Sequence, residues 1–171
     1  MREIAIQLLR FVLKVLAQLT IWRYEPGIVG ITGSVGKTSA KFAIAAVLGV
    51  ERRVRVGRGN LNNDLGLPLA VLGDWTEEEL RLVSRETPAG EKLVAKFFFW
   101  AKVVGLGLAR IIFPEKGAYP EMLVLEYGAD RPGDIAKLLE IARPSIGVLT
   151  AIGDVPAHVE FYKDSGGVAK E

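Results

Sequence analysis

The residues with the clearest capacity for chemistry form one continuous stretch, Thr32-Gly33-Ser34-Val35-Gly36-Lys37-Thr38-Ser39. It follows an apolar segment typical of a buried strand and opens a segment suited to a helix, which is the context that a phosphate-binding loop needs. Glycines let the backbone curl so that its N–H groups point at phosphate oxygens, and the helix N-terminus adds the positive end of a dipole. The pattern predicts that Lys37 reaches the β- and γ-phosphates and that the Thr38 hydroxyl binds Mg²⁺.

The stretch departs from the general phosphate-loop pattern at one position. That pattern has a glycine five residues before Gly36, where this sequence has Ile31. The nearby glycines are Gly30 and Gly33, so the loop is a shorter variant. The simpler interpretation is a glycine-rich turn that happens to precede a Lys-Thr pair. The agreement of strand, loop and helix favours phosphate binding over that interpretation.

Other candidate residues lie further along the chain. Glu126 ends a continuous apolar run, and an α/β sheet presents its ligands at the carboxyl ends of its strands. His158 is the only histidine, and Asn60, Asn62 and Asn63 fall in a segment rich in turn residues. Each has a simpler interpretation as well: a solvated or helix-capping carboxylate, an ordinary hydrogen-bonded histidine, and turn asparagines.

The apolar patterns predict the elements that position these residues. Short apolar runs predict strands at 28–32, 54–56, 122–126 and 145–150. Helical patterns cover 2–22, 37–48, 77–83, 93–113 and 134–142, and Thr76 is a plausible N-cap for the third of these helices. Residues 57–68 are predicted to form a loop. Strands that alternate with helices predict an α/β domain with a mainly parallel sheet flanked by helices.

The composition excludes several classes of function. The chain has 171 residues, of which 50% are hydrophobic, so it can bury a core and fits one domain of ordinary size. Its formal net charge is only +2, and no dense Lys/Arg run indicates a groove for nucleic acid. There is no cysteine, which excludes disulfides, thiolate metal sites and cysteine nucleophiles and fits a cytoplasmic protein.

Two apolar stretches, 2–22 and about 91–113, stand apart from the α/β pattern. The first is not typical of a secretion signal, because Arg10 and Lys14 interrupt it and no small-residue cleavage site follows. One interpretation is a pair of helices that pack on each other or on the sheet. The alternative is peripheral contact with the inner face of the membrane, with Phe97 to Trp100 entering the lipid boundary while the Lys and Arg ends stay in water.

Four ordered motifs resemble the Mur ligase family, and in particular its MurF branch. The first is the Thr-Gly-x-x-Gly-Lys-Thr/Ser form of the loop at Thr32, and the second is an asparagine-rich segment at 59–68. The third is a Glu-x-Gly-Ala segment that begins at Glu126. The fourth runs from Arg143-Pro144 to the Ala-His-Val-Glu sequence around His158. The resemblance covers residues 27–171 apart from the apolar insert.

The resemblance implies an ATP-dependent amide ligase of peptidoglycan precursor synthesis. In this family a substrate carboxylate takes the γ-phosphoryl group of ATP, and an amine then displaces phosphate from the acyl phosphate. The implied substrates are UDP-MurNAc-tripeptide and D-alanyl-D-alanine, and the implied cofactor beside ATP is Mg²⁺. By resemblance Lys37, Glu126 and His158 are catalytic, Thr38, Glu126 and His158 are metal ligands, and the three asparagines face the reaction centre.

The resemblance also predicts a domain plan in which 1–26 form an N-terminal helix and 27–171 form part of a central ATP-binding domain. The family's carbamylated lysine is expected just after Glu171, so Lys170 is not assigned that role. We expect this part alone to be inactive. Two alternatives stay open: another Mur or folylpolyglutamate-type ligase, and a membrane-associated nucleotide-binding module that does not ligate.

Overall fold

The structure is a computed structural model that describes residues 2–84, 87, 90–115 and 117–152. The single histidine, His158, and Lys170 lie outside the described residues, so the predictions made for them are not tested by the fold. The same is true of the Ala-His-Val-Glu motif around His158.

In the described residues, four parallel strands form one sheet. They are β1 (Gly27–Thr32), β2 (Val54–Val56), β3 (Met122–Glu126) and β4 (Ile146–Leu149), in the spatial order β2-β3-β1-β4. In the central pair, Gly27 lies opposite Met122 and Ile31 lies opposite Glu126. The predicted parallel α/β sheet and all four predicted strands are therefore confirmed, with shifts of one residue at some ends.

Six helices accompany the sheet in the described residues. They are α1 (Arg2–Tyr24), α2 (Lys37–Leu48), α3 (Gly66–Leu72), α4 (Glu77–Val83), α5 (Leu93–Ile112) and α6 (Asp134–Ile141). Helix α4 begins with a capping box, in which the Thr76 hydroxyl accepts from the Glu79 N–H and the Glu79 carboxylate accepts from the Thr76 N–H. This confirms the predicted N-cap.

Helix α3 corrects the prediction of a loop over 57–68, because its first turn includes Gly66, Leu67 and Pro68. All seven of its residues are buried. A helix that is apolar on every side and only two turns long has no polar face, so it leaves no 3.6-residue pattern to detect.

Side chains alternate between the two faces of the sheet, as they do in any strand. Ile28, Leu123 and Leu125 project towards a layer formed by α1, α3 and α6, which we call the helical face. Val29, Ile31 and Val124 project towards α2, on the face we call the α2 face. The helical face holds most of the core, including the buried rings of Tyr119 and Tyr127.

Helix α5 forms an outer layer over α1 and α3. Its Phe99 and Val103 pack with Leu13 and Leu16 of α1, and with Trp75, which follows α3. The two apolar helices therefore contact each other, as one of the two interpretations predicted. Phe97 and Phe98 remain 68% and 65% exposed while Phe99 is buried, because consecutive helical residues are rotated by about 100° and four in a row cannot share one face.

Helix α1 carries apolar side chains on its outer side as well as on the side that meets the core. Ile4, Leu8 and Phe11 are each more than 60% exposed, whereas the buried side consists of Leu13, Leu16, Ala17 and Thr20. The Thr20 hydroxyl is satisfied by the Leu16 carbonyl one turn earlier. Among the described residues α1 is also the one helix long and apolar enough to cross a membrane, a test that buried core helices pass as well.

Candidate nucleotide-binding site

The candidate site lies at the carboxyl edge of the sheet, between β1 and β3. The chain leaves β1 towards α2 on one face and leaves β3 towards α6 on the other. Adjacent parallel strands whose connections go to opposite faces leave a crevice between them, and ligands of open α/β sheets bind there. The fold thus places the loop after Thr32 and the end of β3 at the same crevice.

Hydrogen bonds with the end of β4 fix the conformation of the loop after β1. The Ser34 N–H donates to the Ala151 carbonyl at 2.7 Å, and the Thr150 hydroxyl donates to the Val35 carbonyl at 2.6 Å. Gly33 has φ +134°, and a Cβ there would clash with the Thr150 Oγ1. Only glycine fits this close approach, which fixes the curvature of the loop.

The start of α2 leaves backbone N–H groups available to a ligand. Its N-cap is Gly36, in the left-handed conformation with φ 84°, and no side chain caps the helix. Thr38 and Ser39 in the first turn are exposed, so the positive end of the helix dipole faces solvent. The Lys37 Nζ folds back to donate to the Gly33 carbonyl at 2.5 Å, within the loop. This arrangement can accept an anion such as a phosphate.

Glu126 is buried under α2, beside a second lysine of that helix. The exposed fractions of Glu126 and Lys41 are 4% and 1%. The Lys41 Nζ lies 2.7 Å from the Glu126 Oε1 and donates to the Gly57 carbonyl, also at 2.7 Å. The Oε1 atom is buried, and the Lys41 ammonium is its ion-pair partner.

The residues present fit a Mg²⁺ ion of the kind that is bound mainly through phosphates. Such an ion takes one or two protein oxygen ligands, and its other ligands are phosphate oxygens and water. The buried Glu126 carboxylate is a suitable hard ligand, and the exposed Thr38 hydroxyl lies in the first turn of the neighbouring helix. Within the described ranges, no three His, Cys, Asp or Glu residues cluster as an independent metal cage.

The asparagine-rich segment reaches the same edge of the sheet through a backbone contact. The Gly128 N–H, two residues after Glu126, donates to the Asn62 carbonyl at 2.9 Å. The Asn63 side chain accepts from the N–H groups of Leu65 and Gly66 and so supports the turn into α3. Asn60 is exposed. The segment therefore brings Asn62 beside the strand end, while the Asn63 side chain is occupied in the local turn.

A second concave surface lies at the edge strand β2, away from the loop. It includes three arginines, but each already has a partner: Arg53 pairs with Glu121, Arg55 donates to the Val71 carbonyl, and Arg58 pairs with Asp74. Burial is the main cause that lowers the pKa of Arg55. Because these cations are satisfied within the fold, the crevice between β1 and β3 is the better candidate for an anionic ligand.

Two features of the site were not predicted from the sequence. Lys41 follows Lys37 by four residues, so both lie on one side of α2, and this spacing was the available signal. The second feature is the hydrogen bond from the Thr150 hydroxyl to the loop. It depends on the pairing of β4 with β1, where the Thr150 N–H donates to the Thr32 carbonyl at 3.0 Å. Sequence spacing alone does not reveal that contact.

Comparison with curated proteins finds MurF ligases. The chain is 30% identical over 158 residues to UDP-N-acetylmuramoyl-tripeptide–D-alanyl-D-alanine ligase of Bacillus subtilis, with 92% of this chain and 25% of the relative covered. It is 34% identical over 126 residues to the ligase of the same name from Mycobacterium tuberculosis, with 74% and 16% covered. The chain thus spans about a quarter or less of the length of these relatives. No family model matches the chain.

Comparison with solved structures agrees. The MurF ligase of Thermotoga maritima in complex with ADP has a TM-score of 0.63 and 29% sequence identity, with 94% of this chain and 27% of that chain covered. A MurF structure from Acinetobacter baumannii has a TM-score of 0.61 at 23% identity, which supports the fold alone. The similarity covers nearly all of this chain.

Proposed function

Because this chain belongs to the Mur ligase family and its relatives are MurF ligases, we propose that it forms the ATP-binding part of a MurF-type ligase. The whole enzyme would join D-alanyl-D-alanine to UDP-N-acetylmuramoyl-tripeptide in the cytoplasm. The observation that carries the proposal is the crevice between β1 and β3, where an uncapped helix start and a buried carboxylate meet. The ADP complex of the Thermotoga maritima relative supports a nucleotide as the ligand.

Each proposed role follows from chemistry and position. The N–H groups of the loop 32–39 and the Lys37 ammonium would bind the phosphates and orient the γ-phosphoryl group towards the substrate carboxylate. The Thr38 hydroxyl and Glu126 carboxylate would hold Mg²⁺, which neutralises charge on the transferring phosphoryl group. His158 is proposed as a further metal neighbour on the resemblance alone.

The asparagines have unequal support for a role on the substrate side. Asn62 lies beside Gly128 at the strand end, which places its backbone near the proposed reaction centre. Asn60 is exposed and its side chain is available, whereas the Asn63 side chain accepts two backbone hydrogen bonds. We therefore propose Asn60 and Asn62 as substrate-side residues and assign Asn63 to the support of their loop.

The direct test is ligation by the full-length protein. With ATP, Mg²⁺, UDP-MurNAc-tripeptide and D-alanyl-D-alanine, mass spectrometry should detect the pentapeptide product, and Lys37→Ala should reduce its rate at least about a hundredfold. Lys92→Ala, a lysine ahead of the outer helix α5, is the matched control and should keep the wild-type rate. A wild-type protein that binds ATP yet forms no amide with this or any related acceptor would favour the non-ligating module instead.

A specific observation also favours peripheral contact with the membrane. The outer side of α5 carries Val94, Phe97, Phe98, Leu108 and Ile112, all at least 45% exposed. Exposed apolar side chains at the spacing of one helix face form the kind of patch that marks an interaction site. Helix α5 has basic residues and no acidic ones, which suits an anionic lipid surface.

The membrane contact can be tested by co-sedimentation with vesicles. The protein should sediment with vesicles of phosphatidylcholine and phosphatidylglycerol at low salt, and Phe97→Ser with Phe98→Ser should reduce the bound fraction severalfold. Phe42→Ser removes an exposed aromatic ring from the opposite side of the molecule and should leave binding unchanged. Equal sedimentation of the wild type and the double variant would contradict the contact.

A further inference from the structure

Lys41 is a buried cation that the proposed chemistry does not use. It lies on α2 one turn after Lys37, but its ammonium points under the helix rather than into the loop, and it is 1% exposed. Burying a charge is costly unless it is paired, so a lysine in this position requires a partner that is itself fixed. That partner is Glu126.

The ammonium joins three segments of the candidate site. It belongs to α2, it lies 2.7 Å from the Glu126 Oε1 at the end of β3, and it donates to the Gly57 carbonyl where the segment that carries the asparagines begins. Glu126 shares its sheet face with Val124, so its carboxylate lies among apolar side chains and α2. Within the described residues, Lys41 is the cation recorded in an ion pair with it.

We propose that Lys41 is a positioning residue that holds the Glu126 carboxylate in the orientation that binds Mg²⁺. This inference rests on the proposed nucleotide function. Burying a carboxylate without a counter-cation is costly, so without Lys41 the Glu126 side chain would turn away, and the metal ligand would have to be repositioned on binding. With Lys41 in place the ligand is formed in advance, and support of this kind typically contributes about ten- to a hundredfold in metal affinity.

The charge of Lys41 also acts against Mg²⁺ binding, and the test must separate this repulsion from the positioning of Glu126. A positive charge near a metal ion repels it, so Lys41 would weaken Mg²⁺ binding if repulsion exceeded the benefit of a preformed ligand. The relevant quantity is the metal increment, defined as the dissociation constant of ADP in EDTA divided by that in Mg²⁺. Positioning and repulsion change this increment in opposite directions, whereas general damage to the fold changes both constants together.

The experiment is calorimetric titration of the full-length protein with ADP in both buffers. We expect Lys41→Met to lower the metal increment about tenfold and to leave the dissociation constant in EDTA within about twofold of the wild type. Lys37→Met is the matched control from the same helix, and it should weaken ADP binding in both buffers. Thermal unfolding checks that each variant is folded, and Lys41→Gln replaces Lys41→Met if the latter is not.

A double-mutant comparison shows whether Lys41 acts through Glu126. Glu126→Gln should remove most of the increment, and adding Lys41→Met to it should remove no more. The inference is overturned if Lys41→Met raises the increment, if it weakens ADP equally in both buffers, or if its effect persists in the Glu126→Gln protein. If the wild type binds no ADP in either buffer, the proposed function itself is wrong.

Discussion

The two faces of the sheet differ in what covers them. The helical face is closed by three helices and a further layer of α5, and its buried tyrosines each donate to a backbone carbonyl: Tyr119 to Val71 and Tyr127 to Ala142. In the part of the chain that the structure describes, the α2 face is covered by one helix, over a core of three buried apolar side chains. The described groups that we propose for phosphate and metal binding belong to the α2 face or to its edge.

This difference indicates that one face of the sheet provides stability and the other provides the binding groups. The closely packed helical face fixes the strands and therefore the positions of their carboxyl ends. The α2 face carries the loop, Lys37 and the Lys41–Glu126 pair, where a phosphate ligand needs access to backbone N–H groups. We therefore expect substitutions on the helical face to lower stability, and substitutions at the loop to lower nucleotide affinity with a smaller effect on stability.

The largest effect on stability is expected from Leu123→Ala. Leu123 is fully buried in the centre of the helical face, and removal of such a side chain costs about 2–5 kcal/mol. Phe42→Ala on α2, at 57% exposure, should change the free energy of unfolding by less than about 0.5 kcal/mol. Urea denaturation measures both. Similar losses for the two variants would contradict the contrast between the faces.

A smaller loss of stability, with a large loss of binding, is expected from Gly33→Ala. An alanine Cβ at this left-handed φ of +134°, close to the Thr150 Oγ1, should lower the free energy of unfolding by about 1–3 kcal/mol and distort the loop. ADP affinity, measured by titration, should fall at least about tenfold. The matched control is Gly147→Ala on β4, where an added Cβ meets nothing within 4 Å. A Gly33→Ala protein with unchanged affinity would show that the curvature of the loop is dispensable.

The helical face should also show a distinctive response to alkaline pH. Burial is the main cause that raises the pKa of Tyr119 to about 12, and it raises the pKa of Tyr127 as well. An unfolded tyrosine has a pKa of about 10. The stabilising contribution of Tyr119 is therefore complete below pH 10, and it is lost as the pH rises from about 10 to about 12, by up to about 1.4 kcal/mol per pH unit.

Urea denaturation between pH 9 and pH 12 tests this expectation. Tyr119→Phe removes the ionisable group and should flatten the decline, after allowance for the smaller stability it has at neutral pH through the lost hydrogen bond to Val71. An equally steep decline in the variant would assign the alkaline loss to other groups.

The smallest change in the free energy of unfolding is expected at the capping box of α4, which lies outside both faces of the sheet. Thr76→Ala removes the side-chain acceptor of the Glu79 N–H and should cost about 1 kcal/mol. The Lys102 ammonium beside Glu79 is the main cause that lowers the pKa of that carboxylate. Thr76→Ser keeps the cap and should behave as the wild type in the same denaturation assay. A loss in Thr76→Ser as large as in Thr76→Ala would contradict the capping role.

The parts of the fold that follow from local pattern could be predicted from the sequence. The four strands are short apolar runs, the loop has its glycines in place, and Thr76 precedes three glutamates, so each element carries its own signal. Helix α3 was missed because it is buried on all sides. The side of α1 that meets the core could not be predicted, because both sides of that helix are rich in apolar residues and periodicity does not tell which one is buried.

The site could be predicted only where the chemistry is local. The loop 32–39 is one continuous segment, and its neighbours along the chain already indicate its role. The contact between Lys41 and Glu126 joins residues that are 85 positions apart, through the packing of α2 on β3. Sequence spacing does not predict a contact of this kind. The hydrogen bond from the Thr150 hydroxyl to the Val35 carbonyl likewise depends on the pairing of β4 with β1.

The most direct test of the central claim is a titration of the full-length protein with ADP and Mg²⁺, comparing the wild type with Lys37→Ala. If the loop after β1 binds nucleotide phosphates, the wild type should bind and Lys37→Ala should bind at least about tenfold more weakly, with an unchanged free energy of unfolding. Equal affinity in the two folded proteins would contradict the assignment of the nucleotide site to the crevice between β1 and β3.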